Sequence, residues 1–123
     1  MSRSLARVRR IANENQLTAT LQERGYESVQ LETLSLRDQV ELVTGTNRIV
    51  GMHGAGLVHM LWASDHTRVL ELRDWNDAGN NCYFSLARAL GFGYYYLKCL
   101  PAEAKDEFVV APDTLADALD ALV

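Results

Sequence analysis

The residues with the clearest chemical potential are His53 and the glycine-rich turn that follows it, made of Gly54, Ala55, Gly56 and Leu57. Backbone N–H groups at the start of a helix attract phosphate without a charged side chain, because they lie at the positive end of the helix dipole. His53 can add one more hydrogen-bond donor beside them. The pattern therefore predicts a phosphate cradle. Its alternative is a turn of small residues that only lets a helix pack tightly against a strand.

A strand and a helix must flank this turn if it is to hold a ligand. The β-branched run Arg48–Val50 predicts the end of a buried strand, and the apolar run from 57 to 62 predicts a helix. Gly51 and the two glycines of the turn permit positive φ and a close approach of the backbone to a ligand. The motif is not a dinucleotide fingerprint, because His59 stands where a third glycine is needed, and no Walker lysine follows the turn.

Composition limits the classes of protein to consider. The chain has 123 residues, of which 48% are hydrophobic, so residues 1–123 are predicted to form a single domain. A formal net charge of −4 disfavours a nucleic-acid partner, although four of the twelve basic residues fall in the first ten positions. No apolar run approaches the length of a membrane span, and no secretory signal is evident. A cytoplasmic location is therefore expected.

Cysteine and histidine usage favours neither a redox motif nor a metal site. Cys82 and Cys99 are too far apart for a CxxC pair, and each lies in an apolar stretch, so both are predicted to be buried, reduced thiols. The histidines at 53, 59 and 66 lack the spacing of metal ligands. We therefore expect no metal.

Helical and extended signals alternate along the chain, which is typical of an α/β fold. They predict a three-layer, Rossmann-like domain with a mainly parallel sheet of at least four strands. Predicted helices begin at Asn13, Ser35, Leu57, Cys82 and Pro112, and predicted strands cover residues 26–31, 47–50, 68–72, 93–99 and 108–110.

The first residues do not fit that alternation. A doubly wound unit normally opens on a central strand, yet no strand signal precedes the first helix. The segment before Asn13 is interpreted either as the stub of a strand cut short or as residues 4–12 extending that helix.

A series of short motifs is more specific than the turn alone. They are Ser2-Arg3, Arg9-Arg10, Asn13-Glu14, Gly25-Tyr26, Gln39, Val50-Gly51, residues 53–57, residues 69–72, Tyr83, Leu86-Ala87, Leu90-Gly91 and residues 94–96. In this order and spacing, over about residues 2 to 98, they resemble glycosyltransferase family 61. That family covers O-linked N-acetylglucosamine and xylose transferases of eukaryotes and capsular polysaccharide proteins of bacteria.

The resemblance implies a GT-B type enzyme, in which two Rossmann-like halves enclose the active site. The chain resembles only the C-terminal half, which holds the nucleotide-sugar donor, so it is expected to be part of a longer two-domain protein. An inverting transfer from a nucleoside-diphosphate sugar of the uridine type is implied, without any other cofactor. A glycan acceptor would then bind through an N-terminal half, and the expected setting is bacterial capsular polysaccharide biosynthesis. The chain departs from the family at Met52, where proline is usual, and at His59, where asparagine is frequent, which leaves the sugar open.

Roles for individual side chains follow from this interpretation. Arg3 and Arg10 are predicted to pair with the diphosphate, and their alternative is a solvated basic end. Glu71, at the carboxyl end of its strand, is predicted to accept hydrogen bonds from the ribose hydroxyls, and its alternative is a solvent-facing carboxylate. These side chains should converge with His53 and the turn on one solvent-open pocket. No catalytic base is assigned, because the acceptor hydroxyl would approach from the other half.

Two functions remain open from the sequence. The first is the donor-binding half of a glycosyltransferase, in which self-association as a homodimer would cover the surface left by the other half. The second is a non-catalytic Rossmann-like fragment or interaction domain whose glycine turn is structural. An oxidoreductase is disfavoured, because the third glycine of the dinucleotide fingerprint is missing.

Overall fold

The computed structural model describes residues 1–2, 9–77 and 79–122. Its strands are β1 (Arg10–Ile11), β2 (Arg48–Met52), β3 (Arg68–Asp74), β4 (Gly93–Pro101) and β5 (Glu107–Val109). Its α-helices are α1 (Glu14–Gln22), α2 (Leu36–Val43), α3 (Cys82–Ala89) and α4 (Pro112–Ala121), and Leu31–Thr33 and Ala55–Trp62 form 3-10 helices.

The five strands form one mixed sheet in the order β1-β5-β4-β3-β2. Strands β2, β3 and β4 are parallel neighbours, whereas β5 runs antiparallel to β4 and β1 runs parallel to β5. The sheet has at least four strands, as predicted, but the prediction that it is mainly parallel is wrong. Only residues 102–106 connect β4 to β5, and a connection that short permits a hairpin but not the crossover that parallel strands need.

Helices cover both faces of the sheet, as the sequence predicted. Leu70 and Leu72 of β3 face a core that includes Leu17 of α1 and Leu115 of α4. Because side chains alternate along a strand, Val69 lies on the opposite face, in a core beneath α3 and the longer 3-10 helix. Within the described ranges, no helix is both long and apolar enough to cross a membrane.

The starts of the helices show how local sequence specifies them. Helix α2 is capped by Ser35, whose hydroxyl accepts the Asp38 backbone N–H at 3.2 Å. Pro112 occupies the first turn of α4, where its missing N–H costs nothing. Asn13 precedes α1 but does not cap it, since its side-chain amide donates to the Val110 carbonyl at 2.7 Å.

The strand predicted for residues 26–31 is absent, because this extended segment has no ladder partner. The backbone of residues 1–2 lies between it and β2. Met1 donates its terminal ammonium to the Val50 carbonyl at 2.8 Å, and the Ser2 N–H donates to the Val29 carbonyl at 2.7 Å. Of the two interpretations for the segment before α1, the described part supports a short strand, β1. Residues 3–8 lie outside the described residues.

The two cysteines differ in exposure, which corrects the prediction that both are buried. Cys99 is buried on β4, and burial, with a smaller contribution from the Asp74 charge, raises the pKa of its thiol to about 12. Cys82 is exposed at the start of α3. The sequence pattern could not distinguish the exposure of the two cysteines. It depends on the loop before α3, which leaves the first residue of that helix outside the core.

Alkylation should therefore distinguish the two thiols. We expect iodoacetamide to modify Cys82 in the folded protein and to spare Cys99 until denaturant is added, because only an accessible thiolate reacts. Peptide mapping by mass spectrometry measures both sites, and a Cys82→Ser variant serves as the control. Rapid modification of native Cys99 would contradict its placement in the core.

Candidate functional site

The glycine turn joins the carboxyl end of β2 to the 3-10 helix Ala55–Trp62. Gly54 has φ 164 and ψ 170, which is extended backbone. The positive φ that the glycines of this region permit is therefore not used here. Among the described glycines, those with left-handed φ are Gly25, Gly45 and Gly91, at the turns after α1, α2 and α3.

The helix after the turn has 3-10 rather than α geometry. Leu57 and Met60 are three positions apart and both fully buried, which suits a helix with three residues per turn. The Leu57 N–H donates to the Gly54 carbonyl at 3.0 Å and so belongs to the helix. The N–H groups of Ala55 and Gly56 open the helix and have no intrahelical acceptor. They are the two amides best placed to bind an anion.

Close packing accounts for the glycine at position 51, which precedes the turn. A Cβ atom at Gly51 would lie 2.9 Å from Leu57 Cδ2, so any larger residue there would force the buried Leu57 side chain to shift. At Gly56, a Cβ atom would meet Met1 Sδ at 3.4 Å, an ordinary contact. The packing interpretation therefore applies to Gly51 and not to every glycine of the motif.

A buried polar cluster lies directly behind the turn. His53 follows β2, and its Nδ1 contacts Glu71 Oε1 on the neighbouring strand β3. Tyr94 of β4 donates its hydroxyl to the other carboxylate oxygen of Glu71. The side chains of His53 and Glu71 are only 8% and 1% exposed. Three adjacent parallel strands thus each contribute one member of a hydrogen-bonded chain.

The loop after β3 covers the outer side of His53. Asn80 places its side-chain nitrogen 3.3 Å from His53 Nε2. The Tyr83 ring packs against the imidazole edge to face, with centroids 5.1 Å apart. Both nitrogens of the imidazole are therefore engaged, one by a carboxylate and one by an amide.

Arg73 holds this loop in place. Its guanidinium donates to the Asn80 carbonyl at 2.6 Å and to Asn81 Oδ1 at 3.0 Å, and it lies 3.6 Å from the Asp77 carboxylate. Arg73 lies on β3 two positions after Glu71. The same strand therefore provides the residue that contacts His53 and the residue that binds the loop covering His53.

Burial and neighbouring groups shift the pKa values of Tyr94 and Arg73 in this cluster. Burial raises the pKa of the Tyr94 phenol, and its hydrogen bond to the Glu71 carboxylate raises it further, so Tyr94 acts as a neutral donor. Burial alone would lower the pKa of the Arg73 guanidinium, but its interactions with Tyr94, Glu71 and Asp77 raise it more. The arrangement stabilises a buried carboxylate that accepts hydrogen bonds at both oxygens.

Two cavities lie near β2, and only the smaller one touches the turn. It has a volume of about 340 Å³ and is lined partly by Ala55, Gly56 and His59. His59 Nδ1 lies 2.9 Å from the Gly56 carbonyl, and its Nε2 lies 2.7 Å from Gln39 Oε1. The larger cavity, of about 370 Å³, follows the outer edge of β2 beside residues 26–29. The smaller cavity is the better candidate for a ligand, because Ala55 and Gly56 of the turn line it.

The predicted site residues converge only in part. His53 and Glu71 are in direct contact beside the turn, but neither lines the smaller cavity. Arg10 lies on β1 at the opposite end of the strand order, 4.0 Å from Glu107, and is not brought to the turn. Arg3 falls outside the described residues. In the described ranges, no cluster of three or more histidine, cysteine, aspartate or glutamate residues is arranged to hold a metal ion.

Tyr94, Asn80 and Arg73 were not predicted as site residues. The sequence indicated Tyr94 only as part of the motif at residues 94–96. Strand alternation gave a usable signal, because Glu71 and Tyr94 lie on the same face of adjacent strands. Nothing local to Asn80 in the sequence points to His53, which is 27 residues away.

A family model described as Glycosyltransferase 61 matches residues 1–70 of the chain. The EGF domain-specific O-linked N-acetylglucosamine transferase of Bos taurus is 36% identical to the chain over 91 residues. The protein of that name from Drosophila melanogaster is 36% identical over 89 residues. Each alignment covers 70% of this chain and 17% of the relative. The chain thus spans about a sixth of the length of these relatives, which are animal proteins and do not support the prediction of a bacterial capsular setting.

Proposed function

This chain belongs to the glycosyltransferase 61 family, and from that membership we propose that it is the donor-binding part of an inverting glycosyltransferase. The donor is a nucleoside-diphosphate sugar of the uridine type, and the acceptor is a glycan or a protein that binds mainly to another part of the full-length enzyme. The names of the relatives make N-acetylglucosamine the first sugar to test.

The observation that carries this proposal is the placement of the glycine turn at the carboxyl ends of parallel strands. His53 follows the carboxyl end of β2 and contacts Glu71, which lies in the middle of β3. In open parallel sheets, ligands bind at the carboxyl ends of the strands. The first amides of the 3-10 helix, close to His53 in the chain, would supply donors for a diphosphate whose charge increases as the sugar departs.

The residues divide between direct and supporting roles in this proposal. The Ala55 and Gly56 amides bind the diphosphate, and His53 lies next to them. Glu71 was predicted to bind ribose, and that role stays a prediction. Both of its carboxylate oxygens are engaged by protein groups, so a ribose contact would require one of these two interactions to break.

A non-catalytic domain with a structural turn is the second candidate, and one observation favours it. Gly51 is required for the close approach of β2 to Leu57, whatever the turn binds. Under this interpretation, the buried His53 cluster would serve only to join three strands and a loop.

Titration calorimetry with uridine diphosphate and with its N-acetylglucosamine conjugate separates the two candidates. We expect the chain alone to bind both ligands weakly and saturably and to transfer no sugar. Transfer requires an acceptor site and the closure that excludes water, which depend on the rest of the enzyme. Uridine, which lacks the diphosphate, is the control ligand.

Three outcomes would revise the proposal. Absence of saturable binding would leave the structural turn as the better explanation. Equal affinity for uridine and uridine diphosphate would place the ligand away from the turn. Sugar transfer catalysed by the 123-residue chain itself would show that it does not need a partner half.

A further inference from the structure

A slot lies between β2 and the extended segment of residues 26–29. It corresponds to the larger cavity, of about 370 Å³, which both segments line. Strand β2 is the last strand in the order of the sheet, so its outer edge faces the slot. The segment on the far side runs in the same direction as β2, because its continuation at Leu31 lies beside Gly56, which follows the carboxyl end of β2.

Residues 1–2 show which kind of structure fits this slot. The Met1 nitrogen donates to the Val50 carbonyl of β2 at 2.8 Å, and the Ser2 N–H donates to the Val29 carbonyl on the other side at 2.7 Å. Successive residues of a strand direct their backbone groups to opposite sides, so this is the bonding pattern of a strand between two neighbours. Residues 1–2 therefore occupy one end of a position for a single strand.

Two polar groups in the slot suit a peptide backbone. Burial lowers the pKa of the Met1 amino group that donates to Val50, although the Glu14 charge acts in the opposite direction. A peptide N–H at this position would donate the same hydrogen bond without a charge to desolvate. Within the described part of the chain, the buried hydroxyl of Tyr26, which lines the slot, has no hydrogen-bond partner. A further strand would bring backbone carbonyl groups into the cavity that Tyr26 lines.

The two faces of the slot are apolar. Leu17 and Leu21 of α1 line it and belong to the core beneath α1 and α4. Val43 of α2 and Ile49 of β2 also line it and belong to the other core, against which the Met1 side chain packs. A strand that lies between two apolar layers carries apolar side chains on both of its faces.

We propose that the slot binds one extended peptide segment with apolar side chains on both faces, as a further strand that is parallel to β2 and continues residues 1–2 in the amino direction. The relatives are about six times as long as the region they share with this chain. The occupant is therefore assigned to a further segment of one longer polypeptide and not to a second copy. The inference goes beyond the proposed function, because it requires no nucleotide.

The register of this strand follows from the outer edge of β2. The Asn47 carbonyl and the His53 N–H both pair with β3, and alternate residues of a strand direct their backbone groups to the same side. Ile49 therefore faces β3, whereas Arg48 and Val50 face the slot. The residue two positions before Met1 would donate to the Arg48 carbonyl and accept the Val50 N–H.

A short amino-terminal extension tests the proposal. The sequence Val-Ile-Val-Ile-Val is joined to Met1, and Gly-Ser-Gly-Ser-Gly of equal length is the matched control. We expect the apolar extension to raise the melting temperature by at least about 5 °C and the control to change it by less than about 1 °C. Proline two positions before Met1 in the apolar extension should remove most of the gain, because it cannot donate to the Arg48 carbonyl.

Hydrogen exchange locates the added strand. In the apolar extension, exchange of the Val50 amide should slow at least about tenfold relative to that of Ile49, which serves as the control in the same strand. Equal melting temperatures for the two extensions, or a gain in stability without extra protection of Val50, would overturn the proposal. A gain that increases with protein concentration would identify a second copy as the occupant and would also overturn it.

One measurement on the 123-residue chain remains decisive even if the apolar extension aggregates. Without the further strand, the Val50 amide should exchange at least about tenfold faster than the Ile49 amide. Equal protection of the two amides would show that the slot is already filled and would overturn the proposal. Absence of nucleotide binding would overturn the proposed function and leave this inference intact.

Discussion

Replacement of Glu71 by alanine is expected to lower the free energy of unfolding by about 3 kcal/mol. The side chain is 1% exposed and accepts hydrogen bonds from His53 and Tyr94. Its removal leaves an imidazole N–H and a phenol O–H buried without acceptors, each at a cost of about 1–3 kcal/mol. Relief of the buried negative charge offsets part of that cost, which is why the estimate lies below the sum of the upper values.

Urea denaturation monitored by circular dichroism measures this loss. A domain of this size has a total stability of about 5–15 kcal/mol, so the variant should still fold while its melting temperature falls by about 10 °C. Tyr94→Phe removes only one donor and should cost about 1 kcal/mol, whereas Tyr96→Phe on the exposed part of β4 should be neutral. A loss below about 0.5 kcal/mol for Glu71→Ala would show that the carboxylate does not hold the three strands together.

Support of the fold and binding of a ligand are separate properties of the cluster around Glu71. Glu71→Ala tests whether the carboxylate supports the fold, because it removes both acceptors. Glu71→Gln is the milder change, because an amide oxygen can still accept one hydrogen bond. A network can stabilise the core without taking part in binding, so a large effect of the alanine variant alone would not establish a ligand site.

The sequence predicted individual elements better than their arrangement. Strands β3 and β4 were predicted from β-branched and aromatic runs, and α2 from its Ser35 cap, because these signals are local. The direction of β5 was not predicted. It depends on the five-residue connection from β4, whose consequence for pairing was not considered. The segment 26–31 has a strand-like pattern, yet residues 1–2 occupy the position beside β2 that it would need.

The candidate site was also predicted only in part, because local signals identify residues but not the contacts between them. His53 and Glu71 were both identified from recognisable strands, but β3 extends to Asp74, so Glu71 lies in the middle of its strand and not at the predicted carboxyl end. Their direct contact depends on the parallel register of β2 and β3 across 18 residues. Arg10 was placed near the turn on the assumption of a strand that ends beside it. In the structure β1 pairs with β5 and carries Arg10 to the other end of the sheet.

Gly54→Val is expected to abolish nucleotide binding while leaving the fold intact. Gly54 has extended backbone, with φ 164 and ψ 170, a conformation that a β-branched residue can adopt. Because the backbone does not need glycine here, the substitution tests the space beside the turn and not the conformation of the turn. The valine methyl groups would fill the space beside the Ala55 and Gly56 amides that the diphosphate needs. We expect at least a tenfold loss of affinity for uridine diphosphate, or about 1.4 kcal/mol.

Gly51→Ala provides the matched comparison, because it changes a glycine of the same motif for a different physical reason. Its new Cβ atom would lie 2.9 Å from Leu57 Cδ2, so it should cost about 1–3 kcal/mol of stability through overpacking. The free amides keep their positions in that variant, so the folded fraction should still bind. Calorimetry for affinity and circular dichroism for stability therefore separate ligand space from helix packing. If Gly54→Val bound uridine diphosphate as tightly as the wild-type chain, the turn would not be part of the binding site, and Gly51 would account for the motif through packing alone.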